Sequence, residues 1–370
     1  MSKLQQKLSL LQCLEPLFQD EPNGSEFSPK WSLEKDSEGK TIMRELKVKN
    51  KLNVGAFAVA WVIERDDLRE DKPVEFVAKV INKWKGPQDK AKRTLKKYKE
   101  MEECTIREAK LLVNLRHKHV IRCYGAFVNL DSWVIVLEYA RGGDLTERLV
   151  SMNDISDYIA ANYIRQMIDA IAYLHSKKIM HRDIKPHNFL IKGACNHTNY
   201  IEDRLLLSDF GFATYSEKNA EVRICGSPLY LAPEIYRLSP GETYTNMVDI
   251  WSLGAVACVI LTGHSIYGDN ENMVYHVLQT IDNNDIRRKL NFFALTPKGS
   301  RKSAKRLLKH KWFDYCDDKY LDHNAMKKWR AGLIALKAVD RFTMSGKQIR
   351  QGKTNKSTSI SSSLQRLDLK

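Results

Sequence analysis

No two of the seven cysteines (Cys13, Cys104, Cys123, Cys195, Cys225, Cys258 and Cys316) stand in a Cys-x-x-Cys spacing, and their number is odd. That pattern argues against a disulfide framework and a zinc site. It points to a reducing compartment, the cytoplasm with access to the nucleus. The N-terminus, MSKLQQKLSLLQCLEPLF, lacks the uninterrupted apolar core of a signal peptide. The longest apolar stretch, Val248 to Leu261, contains Asp249 and Ser252. It is too short to span a bilayer, so it predicts a buried helix and no membrane span. Acidic residues are the minority charge, 45 against 60 basic, for a net charge of +15. The excess gathers between Lys83 and Lys99 and from Arg287 onward. No RNA- or DNA-binding module accompanies it, so solvated helix faces and a basic tail are the simpler account, and no nucleic-acid partner is expected.

What is present fits a globular chain. With 370 residues and 43% hydrophobic content, one large two-lobed domain or two small ones can form. Arg44 to Glu64 reads as strand, turn, strand, and Val74 to Asn82 as a further alternating strand. Thr105 to Leu115 has helical spacing, and Trp133 to Glu138 reads as a buried strand. After Arg141-Gly142-Gly143 the pattern turns helical. Tyr158 to His175 carries a stripe of Ile159, Tyr163, Ile164, Met167, Ile168 and Ile171. The prediction is an α+β chain of two lobes, a small β-rich one with one helix and a larger helical one, hinged near Glu138 to Gly143.

Two short motifs carry the chemistry. His181-Arg182-Asp183 continues as HRDIKPHN, with Lys185 and Asn188, and Asp209-Phe210-Gly211 begins 26 residues after Asp183. Phosphoryl transfer needs a carboxylate to orient the attacking hydroxyl, a cation near the moving group and oxygen ligands for Mg²⁺. This stretch supplies all three in the order of a known series. Upstream, Lys79 lies in FVAKVIN and Glu108 in TIREAKLL; downstream, Ala232-Pro233-Glu234 closes CGSPLYLAPE. Through these motifs, over about residues 46 to 313, the chain resembles the eukaryotic serine/threonine protein kinases. The resemblance is to the calcium/calmodulin-dependent group first and the autophagy-initiating group second.

That resemblance implies a two-lobed kinase fold, ATP and Mg²⁺ as cofactors, and protein substrates. It implies a kinase domain at 44–313 (lobes 44–139 and 140–313), preceded by an extension at 1–43. A regulatory helix at 314–345 and a disordered basic Ser/Thr-rich tail at 346–370 would follow. Asp183 would orient the substrate hydroxyl and Lys185 would neutralise the γ-phosphoryl, while Asn188 and Asp209 would hold Mg²⁺. Lys79 would bind the phosphates, paired with Glu108. Leu52, Asn53, Gly55, Ala58, Ala60, Glu138 and Ala140 complete the implied nucleotide site. The glycine-rich pattern is eroded: Asn53 and Ala58 stand where the family has glycine, and Gly55 alone is kept. Weaker ATP binding follows from that, and a pseudokinase scaffold is the alternative reading.

The family also assigns structural and activation-segment roles to Arg182, Ser227, Glu234, Asp249 and Arg301. Glu234 would pair with Arg301, and Ser227 would hydrogen-bond the catalytic loop. Arg223 occupies the position where many relatives carry a phosphorylated Thr. Arg182 therefore has no phosphate to read there and is expected on a carboxylate such as Glu221. Asp144 and Glu147 imply a preference for basic residues N-terminal to the target, although Asp144 also reads as a plain helix N-cap. The Lys79–Glu108 gap holds a basic stretch, WKGPQDKAKRTLKKYKEME, read as a mobile solvated insert or a docking element. Past Phe313, Trp329, Leu333, Leu336 and Phe342 stand at relative positions 1, 5, 8 and 14 among Lys327, Lys328, Arg330, Lys337 and Arg341. That apolar face with flanking positive charge is the pattern of helices that bind a calmodulin-like Ca²⁺ sensor; a helix packed on the second lobe is the alternative.

Overall fold

Period-2 alternation of apolar residues makes the N-terminal part of the chain a sheet. The computed structural model describes residues 15–16, 34–35, 41–42, 47–54, 58–65, 74–83, 92–128, 132–152, 155–193, 200–216, 224–236, 238–239, 241–263, 265–266, 298–310 and 313. Three two-residue strands come first: β1 (Glu15–Pro16), β2 (Glu34–Lys35) and β3 (Thr41–Ile42). The longer strands are β4 (Lys47–Val54), β5 (Ala58–Arg65), β6 (Val74–Asn82), β7 (Cys123–Val128) and β8 (Ser132–Glu138). They form a six-stranded antiparallel sheet in the order β1-β7-β8-β6-β5-β4, and β2 pairs with β3 alone. The stretch expected to be a loose extension thus contributes an edge strand, with Glu15 opposite Val128 and Pro16 opposite Phe127. An edge is where a residue without an N–H is tolerated.

Ile63, Phe76, Ala78, Val80, Phe127, Val134 and Val136 form the buried cluster of this unit. Phe76 meets Tyr124 edge-on with ring centroids 5.0 Å apart. On β6 the residues between, Val77, Lys79 and Ile81, point to the opposite face. Helix α1 (Lys92–Leu112) buries Thr105, Glu108, Ala109 and Leu112, a stripe at helical spacing. It begins well before Thr105, where the sequence reading started the helix, so residues 92–102 of the basic stretch are helical. Lys, Arg, Glu, Leu and Met are good helix formers, so a polar run without an apolar stripe need not be a loop. The remainder, 84–91, lies outside the described residues.

The chain divides into two compact units: Met1–His117 with Ile121–Tyr139, and Lys118–Val120 with Ala140–Lys370. Residues 118–120 group with the second unit because they are bound to its backbone. Leu207 N donates to His119 O at 2.9 Å, and Arg204 Nε donates to Lys118 O at 2.8 Å.

The second unit contains α2 (Leu145–Ser151), α3 (Asp157–Ser176), β9 (Ile179–Met180), β10 (Phe189–Lys192), β11 (Arg204–Leu207) and β12 (Thr214–Tyr215). Helices α4 (Pro233–Tyr236), α5 (Met247–Thr262) and α6 (Ala304–Leu307) follow. Helix α3 starts where Ser156 accepts a hydrogen bond from Ile159 N. Every residue of α5 from Val248 to Leu261 is buried, so this helix is the centre of the unit. It stops at Gly263, whose left-handed backbone (φ +74°) lets its N–H reach Val259 O at 2.8 Å. Among the described residues no helix is long and apolar enough to cross a membrane.

Candidate active site

In the first unit the sheet register builds one row across four strands. Asn53 on β4 faces Ala60 on β5, Ala60 faces Lys79 on β6, and Lys79 faces Ile135 on β8. Lys79 projects from the face opposite the core cluster. Its Nζ donates to Glu108 Oε1 at 2.7 Å and to Oε2 at 2.9 Å. Glu108 is buried on the α1 stripe while Lys79 keeps 22% of its side chain exposed. An ammonium held by a buried carboxylate and still open on one side can take a second anionic partner. Leu52 is exposed on β4, and Ala58 and Ala60 are half-buried on β5. Gly55 lies outside the described residues. Glu138 ends β8; its N–H donates to Arg122 O at 2.8 Å and its Oε2 accepts from Arg122 N at 3.4 Å. Ala140, in the second unit, is half-buried.

In the second unit a two-stranded hairpin places the other groups. Strands β10 and β11 pair from Phe189 opposite Leu207 to Lys192 opposite Arg204. Asn188 therefore enters the hairpin as Ser208 and Asp209 leave it. Ser208 ties the two ends: its N and its Oγ both donate to Asn188 O, at 2.8 and 3.0 Å. The pairing runs without a register shift from Phe189 to Lys192.

Asp183 is buried and accepts from four donors. Its Oδ1 takes Ser227 N at 2.9 Å and Ser227 Oγ at 2.8 Å; its Oδ2 takes Asn188 Nδ2 at 3.0 Å and lies 3.0 Å from Lys185 Nζ. Lys185 Nζ also donates to Ser227 Oγ at 2.9 Å. The amide nitrogen of Asn188 is spent on Asp183, so its amide oxygen is the group left for a metal ion. Asp209 is exposed and takes a left-handed backbone (φ +58°), which turns it out of the buried Ser208–Phe210 path. Phe210 packs edge-on against His181 with ring centroids 4.9 Å apart.

Asp249, at the start of α5, fixes the backbone just ahead of Asp183. It accepts His181 N at 2.9 Å and Arg182 N at 2.8 Å, and its Oδ2 lies 2.9 Å from His175 Nε2. Burial pushes this carboxyl up. The hydrogen bond and charge of His175, the charge of His181 and the Arg182 N–H outweigh burial and hold it below the ordinary carboxylate range. Arg182 is in the left-handed region (φ +67°). Its Nε donates to Phe212 O at 2.6 Å and its Nη1 to the Tyr244 hydroxyl at 3.1 Å. Among the described residues Arg182 therefore meets a carbonyl and a phenol; Glu221 and Arg223 lie outside them. Burial, with Cys225 nearby, pushes the Tyr244 hydroxyl up to about 12 against the pull of Arg182. Gly226 (φ +109°) passes close to the catalytic-loop backbone, where a Cβ would meet Arg182 O at 2.5 Å.

Glu234 and Arg301 form a two-point ion pair, with Arg301 Nη2 to Glu234 Oε2 at 2.9 Å and Arg301 Nη1 on the other oxygen. Arg301 also covers the Trp251 ring at 5.0 Å. Asp144 is the N-cap of α2, its Oδ1 accepting Glu147 N at 2.9 Å, and burial pushes its carboxyl up against that hydrogen bond. Glu147 is exposed one turn on. Trp329, Leu333, Leu336 and Phe342 lie outside the described residues.

Sequence reasoning missed three partners: His175 for Asp249, Tyr244 for Arg182, and a buried network around Asp203. There Arg148 Nε and Nη2 each donate to Asp203 at 2.7 Å, and the Tyr163 hydroxyl donates at 2.5 Å. Tyr163 is pushed up by burial and by Asp203. Asp203 sits in the IEDR stretch read as an insertion; an acidic residue followed at once by a buried strand was the available signal.

A buried carboxylate set among an amide, a lysine and a serine, with a second carboxylate exposed beside it, is built to hold a hydroxyl and phosphate oxygens. The comparisons agree: residues 75–313 match the protein kinase domain, and the chain belongs to that family. It is 42% identical over 165 residues to the ovarian-specific serine/threonine-protein kinase Lok of Drosophila melanogaster, covering 44% of this chain and 34% of Lok. It is 29% identical to calcium/calmodulin-dependent protein kinase type 1 of Caenorhabditis elegans, covering 63% and 60% of the two chains. It is 33% identical to serine/threonine-protein kinase ULK1 of Homo sapiens, covering 59% and 19%. The chain thus spans less than two thirds of each of these relatives' own lengths.

Proposed function

We infer that the chain transfers the γ-phosphoryl group of ATP to Ser and Thr hydroxyls of protein substrates. The observation that carries this reading is the four-donor shell around Asp183. It leaves the carboxylate buried and aimed, the arrangement needed to orient a hydroxyl and take its proton late. Lys185, held between Asp183 and Ser227, would neutralise charge on the moving group. Lys79, held by Glu108, would bind the other phosphates. Asn188 and Asp209 fit Mg²⁺, which is bound through one or two carboxylates and substrate phosphates rather than an all-protein cage. Among the described residues no group of three or more His, Cys, Asp or Glu side chains converges on a metal position. Bound there, Mg²⁺ would screen the phosphate charge.

Asp144 and Glu147 support a preference for Arg or Lys N-terminal to the target. Asp144 is half engaged as an N-cap, so Glu147 carries more of that preference. The spacing of Trp329, Leu333, Leu336 and Phe342, with the likeness to a kinase named for calmodulin, supports control by a calmodulin-like Ca²⁺ sensor. The cysteine usage supports a cytoplasmic location. The pseudokinase reading rests on the loop that keeps Gly55 alone.

A positional peptide array with Mg²⁺ and labelled ATP tests the reading. Labelled Ser and Thr peptides, unlabelled Tyr peptides and enrichment of Arg or Lys before the acceptor are expected. No label on any peptide, with ATP still bound, would favour the scaffold. For the tail, Ca²⁺/calmodulin should bind the full chain and lose binding on Trp329→Ala; no binding by the full chain would remove that part of the proposal.

A further inference from the structure

Away from the residues around Asp183, the second unit carries a cavity of about 560 Å³ that the proposed reaction does not use. It runs along the outward face of α3 between residues 118–119, the start of β11 and the end of α6. Among the described residues its lining is polar apart from Leu308, with Lys118, Arg165 and Arg204 supplying positive charge and Asp169 and Asp203 negative charge. The acids are already engaged. Asp203 is neutralised from beneath by the bidentate Arg148, and Asp169 pairs with Lys118 at 3.0 Å. The cations are less committed. Arg165 is exposed on α3, and Arg204 spends its Nε on Lys118 O, which leaves the outer edge of its guanidinium to the cavity. With both acids paired, Arg165 and Arg204 set the sign of the groove. Planar guanidinium forks suit carboxylates.

An apolar anchor adjoins the charge. Tyr158, Asn162, Arg165 and Asp169 follow one another at spacings of four, three and four on α3, so they share one face. Asn162 Nδ2 donates to Ile201 O at 3.1 Å, which pins the segment bearing Ile201 against that face. Tyr158 is 43% and Ile201 53% exposed. A lone inorganic anion would use the cations and leave this end bare.

We propose that this groove docks an acidic peptide segment of a partner protein, Asp or Glu side chains on Arg165 and Arg204 and a following apolar side chain against Ile201 and Tyr158. Charge complementarity selects the acid, and the two anchor types on one helix face select a peptide.

The test is fluorescence anisotropy with the full chain and a fluorescein-labelled 12-residue peptide carrying four consecutive Asp/Glu residues followed by Leu-Leu. Arg165→Glu and Arg204→Glu should each weaken binding about tenfold, and Ile201→Ser about threefold. Lys177→Glu, at the C-terminal cap of α3 and about 18 Å from Arg165 along the helix axis, should leave binding within twofold. All four are exposed positions outside the residues around Asp183, so transfer to a short Ser peptide without the acidic segment should stay at the wild-type rate. Equal weakening by Lys177→Glu and Arg165→Glu would mean that net charge alone attracts the peptide, and would overturn the proposal. Full competition by inorganic phosphate at the peptide's own concentration, or an unchanged Ile201→Ser, would reduce the groove to an anion site. Tenfold tighter binding after Asp317→Asn with Asp318→Asn would assign the groove to the chain's own acidic stretch and overturn the role of a partner.

Discussion

Lys79 in the first unit donates to both carboxylate oxygens of Glu108, 29 residues away, and 22% of its side chain stays exposed. Asp183 in the second unit is held by four donors from three residues, all within the unit's buried interior or its edge. The backbone before it is fixed by a further buried carboxylate, Asp249. The first arrangement centres on an ion pair between a strand and a helix. Its carboxylate is buried and its ammonium partly open to water, so the lysine end can turn outward when either element moves. The second is over-determined, so that losing one contact leaves the rest in place. The anchored carboxylate and the partly exposed ammonium thus belong to different units.

The comparison is broken most strongly at Asp249. Asp249→Asn would leave a neutral amide facing His175 and the N–H groups of His181 and Arg182. A loss of about 3–5 kcal/mol is expected, since removing one member of a buried charged set exposes the others; chemical denaturation measures it. The same group sets an acid limit. Its folded pKa lies below the unfolded value of ~3.9, so its stabilisation is present above that value and lost as pH falls through the folded pKa. The wild type should lose stability below about pH 4, and Asp249→Asn should lack that component.

Glu108→Gln sharpens the contrast. It should lower kcat/KM for ATP by about a hundredfold, through loss of Lys79 positioning, yet cost less stability than Asp249→Asn, because the partly exposed Lys79 ammonium can turn to water. Steady-state kinetics beside a melting curve reads both; a matching loss of stability would show the first unit to be as rigidly built as the second. Smaller again is Tyr244→Phe, which removes one neutral acceptor from Arg182 and should cost about 1 kcal/mol. Its activity should fall only a few-fold. A loss as large as that of Asp249→Asn would make Tyr244 the main support of Arg182.

Local features were legible because their physics is local. Alternation in FVAKVIN places Lys79 off the core face, and the stripe through Thr105 and Leu112 places Glu108 on the buried side of a helix. The spacing within HRDIKPHN fixes Asp183, Lys185 and Asn188 on one short segment, and the tie from Ser208 to Asn188 follows from the β10–β11 register. The rest depends on pairings that leave no period. His175 and Asp249 are 74 residues apart, and Arg148 and Asp203 are 55 apart. A phenol beneath Arg182 has no sequence signature, and a helix that begins with polar turns, as α1 does, looks like an insert. The Trp329 to Phe342 stretch and Gly55 lie outside the described residues, so sequence alone speaks for them.

The most direct measurement is phosphoryl transfer from Mg²⁺-ATP to a basic Ser peptide by the wild type and by Asp183→Asn, with the melting temperature of each. The account predicts measurable transfer by the wild type, at least about a thousandfold less by the variant, and melting temperatures within a few degrees of each other. Equal rates in the two proteins, whether both near zero or both high, would contradict it.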